Sequence, residues 1–150
     1  MGRTIAMATL VAGALDILFA ICLSLYFGRD PMDMLRYVAS GPFPPATGWG
    51  APGSVLGLAV HFTLMAIMAA GFVMLVRWRP ALLDTPRRSG LAYGLLTYFA
   101  MNWVVVPLRF DAPLPPKPLS IATQLFAHII LVGIPMAMIA RRNLRTRALG

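Results

Sequence analysis

The stretch 56-LGLAVHFTLMAIMAAG-71 holds one imidazole, His61, inside a run with no charged residue from Gly53 to Val76. A helix rises ~1.5 Å per residue, so a run of this length crosses the ~30 Å of a bilayer's hydrocarbon. A strand or loop facing lipid there would leave its backbone groups unpaired. The stretch therefore reads as a membrane-spanning helix with a histidine inside it.

The same reading extends along the chain. Apolar runs cover residues 5–27, 54–76, 91–108 and 119–140, the third being the shortest because Pro107 falls at its end. Of 150 residues, 59% are hydrophobic and 12% charged, with mean hydropathy +0.75. A soluble domain carries about 25% charged residues. The expected fold is an all-α membrane protein, residues 1–150 forming one four-transmembrane-helix bundle. The first run carries Arg3 ahead of it, as a signal peptide would. Its apolar stretch is too long for one, and no A-x-A site ends it, so it reads as a retained span.

Glutamate is absent, and five aspartates face thirteen Lys and Arg, for a net charge of +8. The arginines stand at the ends of apolar runs, and no nucleic-acid-binding motif accompanies them, so the charge reads as topogenic. The expected surroundings are the lipid bilayer, with no nucleic acid. Arg3, Arg77, Arg79, Arg87, Arg88, Arg141, Arg142, Arg145 and Arg147 fall on one side, against Arg29, Arg36, Arg109 and Lys117 on the other. Both termini are therefore expected in the cytoplasm. Cys22 is the sole cysteine and forms no internal disulfide.

In the first outer loop, Asp30 precedes Pro31, Asp33 takes the third helical position and Gly41 closes the stretch. These are start and stop signals for a short interfacial helix over 31–40, its apolar side made by Met34, Leu35, Tyr37 and Val38. The stretch 41-GPFPPATGWGAPG-53 is expected to return to the second span without regular structure.

Each span carries one strongly polar residue: Asp16, His61, Asn102 and His128. Residues four apart form one ridge of a helix. The ridges hold small residues beside the polar ones, as in Ala12/Asp16/Ala20, Gly57/His61 and Gly90/Gly94/Tyr98/Asn102; in the fourth span Gln124 and Ser120 precede His128. Small residues mark close helix approach in membranes, so all four polar groups are expected inside the bundle. From the outer ends, His61 and Asn102 lie about 10 Å deep and His128 and Asp16 about 14–16 Å deep, close to one layer. The candidate intramembrane site is Asp16, His61, Asn102 and His128, with Tyr98 and Gln124 on the same ridges and the 31–40 helix as a lid. Mutual hydrogen bonding that only holds helices together is the competing reading.

Metal and cofactor chemistry has weaker support. His61, Met65 and Met68 share a helix face and suit copper(I), and His61 with His128 would suit haem. Methionine is equally a packing residue. A zinc hydrolase would use both histidines and Asp16 as ligands, leaving no base. No G-x-S-x-G, C-x-x-C, H-E-x-x-H or P-loop pattern occurs. No catalytic residue, resident metal or cofactor is expected.

The segments GALDILFA, YVASG, LGLAVHFTLM, YFAMNWVVVPL and AHIILVGIPMAMIARR together resemble a family of small four-span bacterial inner-membrane proteins without assigned function. The resemblance runs from about Gly13 to Arg142 and implies a bacterial inner-membrane location but no reaction. The expected role is a non-enzymatic accessory or structural subunit, with other membrane subunits or further copies of itself as partners. A carrier or binding protein for a proton-linked or lipid-like ligand is the alternative, and a haem- or copper-binding protein the third. A reporter active only in the periplasm should be active when fused within Gly41–Gly53 and silent when fused after Gly150. The opposite pattern would reverse the orientation.

Overall fold

Proline at the first helical position opens three of the five helices, because its fixed φ suits a first turn that needs no N–H partner. The structure, a computed structural model, describes residues 1–145; Arg147, counted above among the basic residues, lies outside them. The helices are α1 (Gly2–Tyr26), α2 (Pro31–Ala39), α3 (Gly50–Trp78), α4 (Pro86–Phe110) and α5 (Pro118–Arg145). There is no strand among the described residues. All but α2 are long and apolar enough to cross a membrane, giving the four-helix membrane bundle with a short helix in its first long loop.

The spans run beyond the apolar runs. Helix α4 begins at Pro86 instead of Leu91, and α5 at Pro118. Pro107 does not end α4. Residues Ala100–Val105 form a π-helical stretch, Val106 N–H bonding to Met101 O five residues back, and the helix continues to Phe110. A second π stretch, Ala127–Gly133, precedes Pro135, with Ile134 N–H on Ile129 O. A proline ring collides with the carbonyl four residues back. The widened turn gives that ring room, so the helix bends past the proline instead of stopping.

Around the bundle the order is α3, α1, α5, α4. Ala8 and Ala12 of α1, Met65 and Ala69 of α3, and Val132 and Met136 of α5 meet in one buried cluster. Phe72, Val76, Leu83, Ala137 and Ala140 close the end that carries the chain termini. Helices α4 and α5 touch backbone to backbone. A methyl group at Gly90 would lie 2.6 Å from Ile134 Cα, and one at Gly94 would lie 2.7 Å from Ile129 Cα. Helices α3 and α4 stand further apart and are bridged by Tyr93, whose hydroxyl donates to Met68 O (2.7 Å).

Helix α2 spans the opposite end. Asp30 caps it by accepting from Met32 N–H (2.8 Å), and Asp33 pairs with Arg36. The helix is also seated on the spans. Gly57, expected to let another helix come close, admits α2: a methyl group there would lie 2.6 Å from the Leu35 carbonyl carbon. Ser54 Oγ donates to Met32 O (3.0 Å). At its far end α2 is tied to α4: Arg109 donates to Ser40 O (2.8 Å) and to Gly41 O, and Tyr37 stacks on Phe110 at 4.4 Å. Partial burial pushes the Tyr37 hydroxyl above its ordinary pKa, so it remains neutral. The Pro/Gly-rich return is also more ordered than expected. It forms a 3₁₀ turn, Pro44–Gly48, and α3 starts at Gly50.

Gly57→Ala should displace α2 and destabilise the protein by about 1–3 kcal/mol, the usual range for overpacking. Gly48→Ala, with nothing within 4 Å, should be near neutral. Melting curves of the detergent-extracted variants check this, and equal midpoints would refute the contact.

Candidate functional site

Three polar side chains sit one turn beyond the central cluster, on its α2 side. Ala12, Met65 and Val132 meet in that cluster. Asp16, His61 and His128 lie four residues further toward α2 on the same three helices, so the packing beneath them puts them in one layer.

His61 is 7% exposed and joins α3 to α1 twice. Its Nε2–H donates to Gly13 O (3.0 Å), because a carbonyl only accepts. Its Nδ1 faces Asp16 Oδ2 at 3.8 Å. Gly13 makes this possible: a methyl group there would lie 2.7 Å from the Phe62 ring and hold the helices apart. With Nε2 committed, the Asp16–His61 pair has two arrangements that differ in the position of one proton. Either the carboxylate faces an imidazolium, or a protonated carboxyl faces a neutral ring. Each leaves the pair with no net charge, which lowers the cost of placing it within a membrane span.

His128 is held from the other side. Thr97 Oγ1 donates to Gly94 O (3.0 Å), so its lone pair accepts from His128 Nδ1–H (3.1 Å). That bond leaves Nε2 as the ring's acceptor. Tyr98, 2% exposed, sets its ring beside the imidazole at 6.1 Å, and its hydroxyl accepts from Trp103 Nε1–H (3.2 Å).

Asn102 does not join the layer. Its Nδ2 donates to Tyr98 O of its own helix (3.3 Å), and the side chain is half-buried one turn further on. Thr97 and Tyr98 occupy the position that depth counting assigned to Asn102. The count started the second span at Ser54 and ended the third at Leu108; α3 starts four residues earlier, at Gly50, which sets His61 deeper by about one turn, whereas α4 gains only two residues, to Phe110. Gln124 is half-buried one turn before His128, and Ser120 is exposed. Thr97 was missed, although a hydroxyl three residues after Gly94, on a face that admits another helix, was the available signal. Gly13 O left no side-chain signal at all.

The donors weighed for copper or haem have other neighbours in the structure. His61 Nε2 is bonded to Gly13 O, and its Nδ1 faces Asp16 at 3.8 Å. Met65 packs in the central apolar cluster with Met68 against it. Among the described residues no three His, Cys, Asp or Glu side chains converge. Cys22 is exposed and Ser24 is buried, both on α1.

In comparisons with known proteins, no family model, no curated protein and no solved structure matches the chain.

Asp16→Leu should lower stability more than Asp30→Leu. A lost cap costs about 1 kcal/mol, whereas a polar partner left alone in a dry interior costs more. Extraction yield and thermal midpoint measure the difference, and equal losses would mean that Asp16 is fully hydrated.

Proposed function

We propose that this is a non-enzymatic, multi-pass protein of the bacterial inner membrane that binds a proton-linked small ligand at the Asp16–His61–His128 layer. One observation carries the reading. Asp16 faces His61 from the neighbouring helix at 3.8 Å while its side chain keeps 21% exposure. A pair serving only to hold α1 on α3 needs neither an acid nor access, since an amide would bond there without an ionisable group's desolvation cost. An acid–base pair that protein does not fully seal can gain or lose its proton, and ionisable groups within spans commonly serve that purpose. His128 Nε2, left as an acceptor, offers a ligand a second hydrogen-bonding point in the same layer.

The location draws on two supports. Arg3, Arg77, Arg79, Arg87, Arg88, Arg141, Arg142 and Arg145 sit at the end with the termini, against Arg29, Arg36, Arg109 and Lys117 at the α2 end. That asymmetry favours cytoplasmic termini. The resemblance to the four-span family supports a bacterial source. An accessory role in a larger assembly is favoured by a different feature. From Ala100 onward α4 packs closely on neither α1 nor α3, and Val104, Val105 and Leu108 are exposed there.

Nitrogen-15 spectra of the histidine rings in nanodiscs test the first reading, recorded from about pH 5 to about pH 9, where imidazoles titrate. His61 should change protonation in one step that Asp16→Asn displaces. A ring that keeps one protonation state throughout, in both proteins, reduces the pair to a helix lock and overturns the proposal.

A further inference from the structure

At the terminal end, well away from the polar layer, the start of α4 and the last turns of α5 enclose an open groove of about 680 Å³. Arg87 and Arg88 enter it from α4, Arg141, Arg142 and Arg145 from α5, and Met138 forms an apolar patch in its wall. The two sets of arginines are more than fifty residues apart in the chain. They converge because Gly90, one turn below Arg87, lies against Ile134 and Gly133. Orientation by positive charge requires arginines near the span ends; it does not require them to gather from two helices on one cleft. Gathering guanidinia adds mutual repulsion. Asp84 bonds Arg145.

Backbone polarity adds to the side-chain charge. Thr85, at the N-cap of α4, makes no side-chain cap bond, and Pro86 has no N–H to offer. The first turn of a helix presents unpaired N–H groups and a partial positive charge, which favour an anion. A guanidinium binds phosphate oxygens through two N–H groups at once, and several can share one phosphate. Basic pockets between spans on the cytoplasmic face are suited to anionic lipid headgroups.

We propose that this groove binds a phosphate-bearing anion, with the headgroup of an anionic phospholipid as its expected source and an acyl chain lying along Met138. Inorganic pyrophosphate represents the soluble source of the same chemistry. The site is independent of the Asp16–His61 pair.

The test is native mass spectrometry on the full chain released from detergent with phosphatidylglycerol, phosphatidylcholine or pyrophosphate. Phosphatidylglycerol should be retained in preference to phosphatidylcholine. Arg88→Gln with Arg141→Gln should weaken that retention roughly tenfold or more, on the scale set by surface basic residues. Arg77→Gln with Arg79→Gln removes the same charge from the same end outside the groove, and should have a much smaller effect. All four positions are exposed, and Arg88→Gln alone gives a milder version in the same direction. Equal losses in the two double variants, or no preference between the lipids, would overturn the proposal. Pyrophosphate that displaces the lipid at matched concentration identifies a soluble phosphate as the source; pyrophosphate without effect identifies the lipid.

Discussion

The backbone contact between α4 and α5 at Gly90, Gly94 and Gly133 sets the position of most of what matters in this molecule. Hydrocarbon gives no hydrophobic reward for bringing two apolar helices together, so association depends on close packing. Three glycines allow it. Toward α2, the contact places Thr97 within hydrogen-bond reach of His128. Toward the termini, it draws the arginines of α4 and α5 onto one groove. A side chain at Gly94 would push the His128 turn away, and one at Gly90 would open the basic end.

On the other half of the bundle the corresponding contact is made by polar groups. Gly13 lets α3 approach α1, and His61 then finds both a carbonyl and a carboxylate on α1. The two halves meet in a core of small and flexible side chains, Ala8, Ala12, Ala69, Met65 and Met136 among them. Small residues permit proximity, and methionine fills the irregular space that remains. Helix α2 then joins the separated ends of α3 and α4, with its own backbone seated on Gly57 and Arg109 holding its last turn.

The two prolines inside spans show how a local conflict is resolved within a membrane. A helix broken at depth would leave unpaired backbone groups that water cannot reach. Widening one turn ahead of Pro107 and Pro135 keeps the chain helical and most of its backbone groups paired. The second widened turn carries His128, so the accommodation of a proline and the placement of a polar ring occur in the same segment.

The number of spans, their approximate extents and the capped helix after Asp30 were legible in the chain alone. Hydrophobic run length and capping chemistry are local properties, and a membrane leaves few alternatives for a long apolar segment. The pairing of His61 with Asp16 was partly legible, because a buried acid and a buried imidazole on small-residue ridges need partners. What the chain alone did not settle was which neighbour each small residue admits. Gly57 receives α2 and not a span, and Thr97 with Tyr98 takes the place expected of Asn102. A glycine permits close approach without choosing the partner. That choice depends on the whole arrangement of helix ends and bends, including where a proline is accommodated, and only the assembled tertiary structure contains it.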